Sequence, residues 1–332
     1  MSRVALFAIL VLFSLIACTP SQEQGEKIDE PTFTWVDPAF NVAYPGPYAE
    51  GDSALSWKAL RFVAGLAEGK VLDHELPLGD SLKLSLDNQP IYVLKPEEFK
   101  AHFSAWHQQY DQVEYEAFNV RPIRNIEFET EVFFCFGRWR YHSKGTIDDR
   151  YSTMLIALGP DGKINAITEW TMCWPKNSSL VFTPNADPRH FHYFSPNHVG
   201  SMESAVRAVV EVQALYRGDT QMAKMYLADS LNFTSSCGNN EWLSKREVAS
   251  YFDNSDPFFG IDPISVIPFY QPKQGDAIVL VLDYESFLED GAIRRFSYLR
   301  TFIFDEALKV KNILVQRRAV PNSVNWNWQR QH

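Results

Sequence analysis

The densest group of reactive side chains lies in Phe134-Cys135-Phe136-Gly137-Arg138-Trp139-Arg140-Tyr141-His142. On a strand, alternation puts Phe134, Phe136, Arg138, Arg140 and His142 on one face. Such a face turns from apolar to basic along its length. It could receive a carboxylate at Arg138 or Arg140, because a guanidinium pairs bidentately with that group. The alternative is a solvated face whose arginines pair with Asp148 or Asp149 across a hairpin. A second set lies further along: Tyr298, Arg300 and Phe302 share one strand face, and Asp283 and Glu285 share one on the neighbouring strand. Cross-strand ion pairing would account for that set without a ligand. A functional reading makes Asp283 or Glu285 a base and Tyr298 a donor to an oxyanion. The candidate ligand-binding residues are therefore Arg138, Arg140, Tyr298, Arg300 and Asp283. His190 and His192, two apart on an extended segment, could share a metal ion with His198. Linker histidines are commonly solvated and no supporting partner is identifiable, so no metal and no cofactor is assigned.

These residues must be held by elements that occur twice. Leu66-Ala67-Glu68-Gly69-Lys70 aligns with Leu215-Tyr216-Arg217-Gly218-Asp219, a fixed offset of 149 residues. At the same offset Leu78-Gly79-Asp80-Ser81-Leu82 meets Leu227-Ala228-Asp229-Ser230-Leu231, Leu94 meets Leu243, Glu98 meets Glu247 and Phe103 meets Phe252. Lys163-Ile164 and Ile167 meet Lys309-Val310 and Ile313 at an offset of 146. So long a period is two copies of a domain, not a solenoid.

In each copy an amphipathic helix comes first, Ser53 to Glu68 or Met202 to Arg217, stopped by a glycine. A short strand follows at Asp80 or Asp229. The equivalence of those two aspartates favours a structural role for them, such as a turn or cap bond. A second helix starts near Pro96 or near Ser244, where Glu247 completes a capping box. Phe99, Phe103, Trp106 and Tyr110 have core spacing on it. Three or four long strands close the copy, among them Thr130–His142, Arg150–Leu158 and Lys163–Trp174 in the first. Those of the second are Ala277–Phe287, Ile293–Phe304 and Leu308–Arg318.

This order, with the Leu-x-Asp-Ser-Leu segment after the first helix, resembles the nuclear transport factor 2-like superfamily, with its SnoaL-like and ketosteroid-isomerase-like members. The resemblance implies an α+β fold: two tandem cone-like domains, each with N-terminal helices packed on a curved antiparallel sheet and a pocket at its open end. It implies no reaction, because the fold hosts enzymes and binding modules alike. None of the family's catalytic residues carries over position by position.

The N-terminus carries an address. Arg3 precedes an apolar run from Val4 to Ala17, the layout of a secretory signal peptide. The run is too short for a spanning helix, which needs roughly 20 residues. Leu15-Ile16-Ala17-Cys18 resembles a lipobox, which implies cleavage before Cys18 and lipid on its thiol. The expected organisation is signal peptide 1–17, polar tether 18–31, first domain 32–175, linker 176–200, second domain 201–320 and tail 321–332. Thr19, where an inner-membrane protein would carry aspartate, points to the outer membrane if the source has one.

The net charge of −10, with no basic stripe, excludes nucleic acid as a partner. Cys135, Cys173 and Cys237 are an odd number beyond Cys18. Cys135 and Cys173 could bridge, although buried thiols account for them as well. No Gly-x-Ser-x-Gly, phosphate loop or glycine-rich dinucleotide turn is present. The leading expectation is a lipid-anchored envelope protein that binds a small apolar or acidic molecule or a protein partner rather than catalysing a reaction. A surface isomerase or dehydratase with one active cone is the first alternative. An envelope scaffold, self-associating or joined to other envelope proteins, is the second.

Overall fold

The leucines that align between the two halves of the sequence also stitch the sheets. Leu82 pairs with Leu94, and Leu231 pairs with Leu243. Leu84 lies parallel to Ile167, and Phe233 lies parallel to Ile313. The offsets of 149 and 146 thus recur as register.

The computed structural model describes residues 48–86, 89–173, 198–216, 220–235, 240–248, 258–261, 265–271, 276–289 and 292–320. Cys18, the tether, His190, His192, Gly218 and Cys237 lie outside them. All described elements belong to one compact unit, Pro31–His332. Among the described residues no helix is long and apolar enough to cross a membrane.

The first half runs β1 (Tyr48–Glu50), α1 (Ser53–Ala67), β2 (Leu78–Ser85), β3 (Tyr92–Leu94), α2 (Pro96–His107), β4 (Gln112–Asn125), β5 (Thr130–Ser143), β6 (Thr146–Leu158) and β7 (Ile164–Cys173). The second runs β8 (His198–Val199), α3 (Met202–Tyr216), α4 (Thr220–Tyr226), β9 (Leu227–Thr234), β10 (Asn240–Ser244), β11 (Phe258–Ile261), β12 (Ser265–Gln271), β13 (Asp276–Glu289), β14 (Ala292–Phe304) and β15 (Val310–Val320). The sheet orders are β1-β4-β5-β6-β7-β2-β3 and β10-β9-β15-β14-β13-β12-β8, with β11 also on β13. The α+β architecture of helices on sheet, twice over, is the expected one. The sheets differ from the expected antiparallel form in one pairing each: β2 runs parallel to β7, and β9 parallel to β15. A strand that leaves one helix and must join the far end of a later meander enters it in that sense.

Local chemistry sets the ends. Asp52 caps α1, its Oδ1 accepting from Ala54 N at 2.7 Å, and Gly69 follows the helix at φ +72°. Pro96 opens α2 while Glu98 accepts from Lys95 N at 2.8 Å. Ser244 and Glu247 form the expected box, Ser244 N donating to Glu247 at 2.8 Å. Gly162 turns the β6–β7 hairpin at φ +73°.

Each sheet is covered on both faces. Helices cover one, α1 against β4 and β5, and α3 against β12 and β13. The other faces meet each other. Trp170 Nε1 donates to Ser297 Oγ at 3.0 Å, and Gln316 Nε2 to the Trp170 carbonyl at 2.9 Å. Thr153 Oγ1 donates to Gln316 Oε1 at 2.6 Å, and Arg318 donates to Ser85 Oγ. The order of layers is helices, sheet, sheet, helices.

Candidate functional site

Strand alternation divides β5 between two environments. Phe133, Cys135, Trp139 and Tyr141 join the core built on α1 and α2, whereas Phe134 and Phe136 join the core shared with the second sheet. Arg138, Arg140 and His142 continue the second series, on the face away from the helices. There Arg138 donates twice to Asp149, at 3.0 and 2.6 Å. Arg140 donates to Asp149 at 3.1 Å and to Glu114 at 2.9 Å. The arginines are therefore part of a cross-strand ion ladder, not a lining of the helix-facing interior.

That first interior is filled by rings. Trp106 meets Trp139 at 5.7 Å and Tyr141 at 5.8 Å between centroids, and Tyr115 meets Trp139 at 4.6 Å. Tyr115 lies over Gly137 so closely that a Cβ there would fall 2.3 Å from its ring. Glu169 is buried among them, accepting from Trp139 Nε1 and Ser152 Oγ, each at 2.7 Å. Burial, with Cys135 and Glu169 nearby, pushes the Tyr115 phenol well above its ordinary range. Cys135 is buried on the same side, and burial raises its thiol too. Cys173 is exposed at the end of β7 opposite Arg150, so the two thiols form no bridge.

The second interior is different. Leu282, Tyr284 and Ser297 face the first sheet, so alternation turns Val281, Asp283, Glu285, Tyr298 and Arg300 to the face that α3 covers. Asp283 and Glu285 are fully buried and Arg300 nearly so. Arg300 donates to Asp283 and, at 2.5 Å, to Glu285 Oε1. Its guanidinium sits 4.3 Å from the centre of the Tyr298 ring. The three sequence candidates Asp283, Tyr298 and Arg300 thus come together, with Arg300 already committed to two carboxylates. Burial raises Asp283 against the pull of Arg300, and lifts Tyr298 to about 12. Asp283 Oδ1 has no hydrogen-bond partner among the described residues.

Glu211 on α3 was not singled out from the sequence. It is 0% exposed, and neither carboxyl oxygen has a hydrogen-bond partner among the described residues. Burial pushes it up to about 9, so the group is a neutral carboxylic acid at neutral pH. A signal existed: Ser204, Ala208 and Glu211 share one helix face at i, i+4 and i+7, and all three are fully buried.

Asp80 and Asp229 are exposed at matching places. Asp80 lies 3.9 Å from Lys163, and Asp229 pairs with Lys245 at 2.6 Å. Neither supports a turn or a cap. His198 lies on β8 opposite Tyr270. No group of three His, Cys, Asp or Glu suited to a metal occurs among the described residues.

No family model matches the chain, and no curated protein matches it. Among solved structures it is similar to a putative SnoaL-like polyketide cyclase from Jannaschia sp. CCS1, at 14% identity over 37% of this chain and 91% of that one, TM-score 0.28. It is similar to an NTF2-like protein from Cytophaga hutchinsonii ATCC 33406, at 17% identity over 36% and 99%, TM-score 0.27. It is also similar to a Mycobacterium tuberculosis protein solved in complex with estradiol-17β-hemisuccinate, at 14% identity over 36% and 95%, TM-score 0.24.

Proposed function

We propose that the chain is an exported lipoprotein, acylated at Cys18, whose second half binds a small molecule between α3 and its sheet while the first half serves as support. The observation that carries the binding site is Glu211. A buried carboxyl with two oxygens that no described residue satisfies is costly. Held neutral, it can donate a hydrogen bond to a ligand carbonyl, a use of buried carboxylic acids known elsewhere. The ligand class follows from the surroundings. Arg300 faces two carboxylates, so its charge is spent, and an anion gains nothing there. A neutral, mainly apolar molecule with a carbonyl or ether oxygen is the matching chemistry. The first interior, filled by Trp106, Trp139, Tyr115 and Tyr141, leaves that role to the second.

The test is native mass spectrometry of the full chain extracted from its own membranes. A bound mass that survives Glu211→Gln, which keeps a donor, and is lost in Glu211→Leu is the expected result. A clean protein mass in the wild type sinks tight binding at this site. For the anchor, an alkyne-tagged palmitate fed to the host should label the wild type and leave Cys18→Ser unlabelled.

A second reading, an isomerase-type enzyme, is favoured by Asp283, whose Oδ1 is left without a partner and whose carboxyl is raised. Such an enzyme would wash deuterium from D2O into the co-purified ligand, and Asp283→Asn would stop it. A ligand that stays unlabelled in the wild type leaves binding alone.

A further inference from the structure

The two sheets do not close on one another everywhere. Between them lies a cavity of about 410 Å³, within the span of small-molecule sites, roughly 300–1,000 Å³. Part of its floor is a single cross-strand row of the first sheet. Ile123 pairs with Val132, Val132 with Ala157, Ala157 with Ala166, and Ala166 with Lys83. All five line the cavity. Four strand spacings make this row about 19 Å long. The adjoining row, Phe134, Leu155 and Thr168, carries larger side chains, so the two alanines form the bottom of a trough. Ile267, Leu282 and Tyr284 of the second sheet face it.

The cavity lining is polar near both ends of the row. Lys83 is exposed at one end, with Arg318 near enough that its charge, after burial, holds the Lys83 ammonium below its usual range. Two residues beyond Ile123 on β4, and also lining the cavity, stands Asn125, 5% exposed. Its Oδ1 accepts from Phe128 N at 3.0 Å, which fixes the orientation of the amide, because the flipped form would set N–H against N–H. Its Nδ2 is left without a hydrogen-bond partner among the described residues. A buried donor near one end, an apolar floor and a cation at the other describe the complement of one kind of molecule.

We propose that this inter-sheet trough is a separate binding site for an elongated, apolar carboxylate, its carboxylate at Lys83 and an acceptor oxygen toward Asn125. The first sheet's helix-free face and the second sheet's opposite face from Glu211 build it, so it is independent of the interior site.

The test uses the full chain in its own membranes and a photoactivatable long-chain carboxylate carrying an alkyne. Cross-linked peptides should map to Val132, Ala157 and Ala166. Palmitate should compete at a concentration about tenfold below that of the matching alcohol, since a charge-assisted bond is lost in the alcohol. Lys83→Gln, a change at an exposed side chain, should abolish that preference while the alcohol competes as before. Ala157→Phe should block labelling with the thermal transition retained, and Ala166→Phe repeats the test should the first variant unfold. Glu211→Leu should leave the labelling unchanged. Labelling elsewhere only, acid and alcohol competing equally, or persistence in both filled variants would overturn the proposal. So would competition by phosphatidylglycerol vesicles without competition by palmitate, which would assign the trough to a membrane lipid.

Discussion

In the first half, α1 and α2 close over a sheet face of rings, and the buried carboxylate there, Glu169, has two donors. In the second half the sheet face on the side of α3 carries Asp283, Glu285, Arg300 and Tyr298, all buried, and α3 itself carries a further buried acid, Glu211. The same order of elements thus encloses an interior held by shape in one copy and by charge in the other. The two halves share a register, because the leucine pairs that stitch β2 to β3 and β9 to β10 correspond. They do not share an interior.

The largest way to break this contrast is Arg300→Leu. Removing one member of a buried ion group leaves two uncompensated carboxylates and costs about 3–5 kcal/mol, to be read from urea unfolding. Replacing Asp283 and Glu285 by leucine in the same chain should restore most of it. Trading charge for shape in this way would make the second interior resemble the first.

Glu211 gives a pH signature. Its folded pKa lies at about 9 against an ordinary 4.5. Between those values the unfolded chain has lost the proton that the folded one keeps. The contribution of Glu211 to stability is therefore fully present below about 4.5, and falls by about 1.4 kcal/mol per pH unit as pH rises toward 9. Glu211→Gln should flatten that slope in unfolding curves taken from pH 5 to 8. A ligand that meets the acid would flatten it in part.

In the first half, Gly137→Ala drives a methyl into the Tyr115 ring and should cost about 1–3 kcal/mol of overpacking, with a changed near-ultraviolet circular dichroism. The smallest effect belongs to Arg138→Gln. The Arg138–Asp149 pair is partly exposed, so unfolding should shift by about 0–1 kcal/mol with ligand retention unaltered. Lost retention would make Arg138 a binding residue.

Much of the fold was legible, and for definite reasons. Glu247, three residues after Ser244, marked a capping box, and it forms; the aligned Glu98 reaches back to Lys95 N in the same way. The hairpin at Gly159-Pro160-Asp161-Gly162 closes where its turn residues place it. The facing of β5 was not legible. Phe134 and Phe136 look as suited to an interior as Phe133 and Cys135, because both faces of the sheet are buried, one by helices and one by another sheet. Alternation then separates two faces without saying which is inside. β4, Gln112–Asn125, was missed because Glu114, Glu116 and Arg124 alternate with its apolar residues and Pro122 interrupts it. Glu211 was missed because a lone acid on an amphipathic helix reads as solvated. The trough escaped because Ala157 and Ala166 become neighbours only through register.

The parallel pairings have a consequence for how the chain is made. β9 ends at Thr234, yet the strand it lies beside begins only at Val310. A ribosome delivers β9 long before its partner, and the same delay separates β2 from β7. β15 also brings Gln316 and Arg318, which bond to the first sheet. A product cut short before Val310 would hold two unsatisfied strand borders and an uncovered sheet face, the features that invite intermolecular pairing. The last strand is in effect the chain's own completeness check: until it is added, neither the second sheet nor its junction with the first can be finished, and a degradative protease has an easy mark.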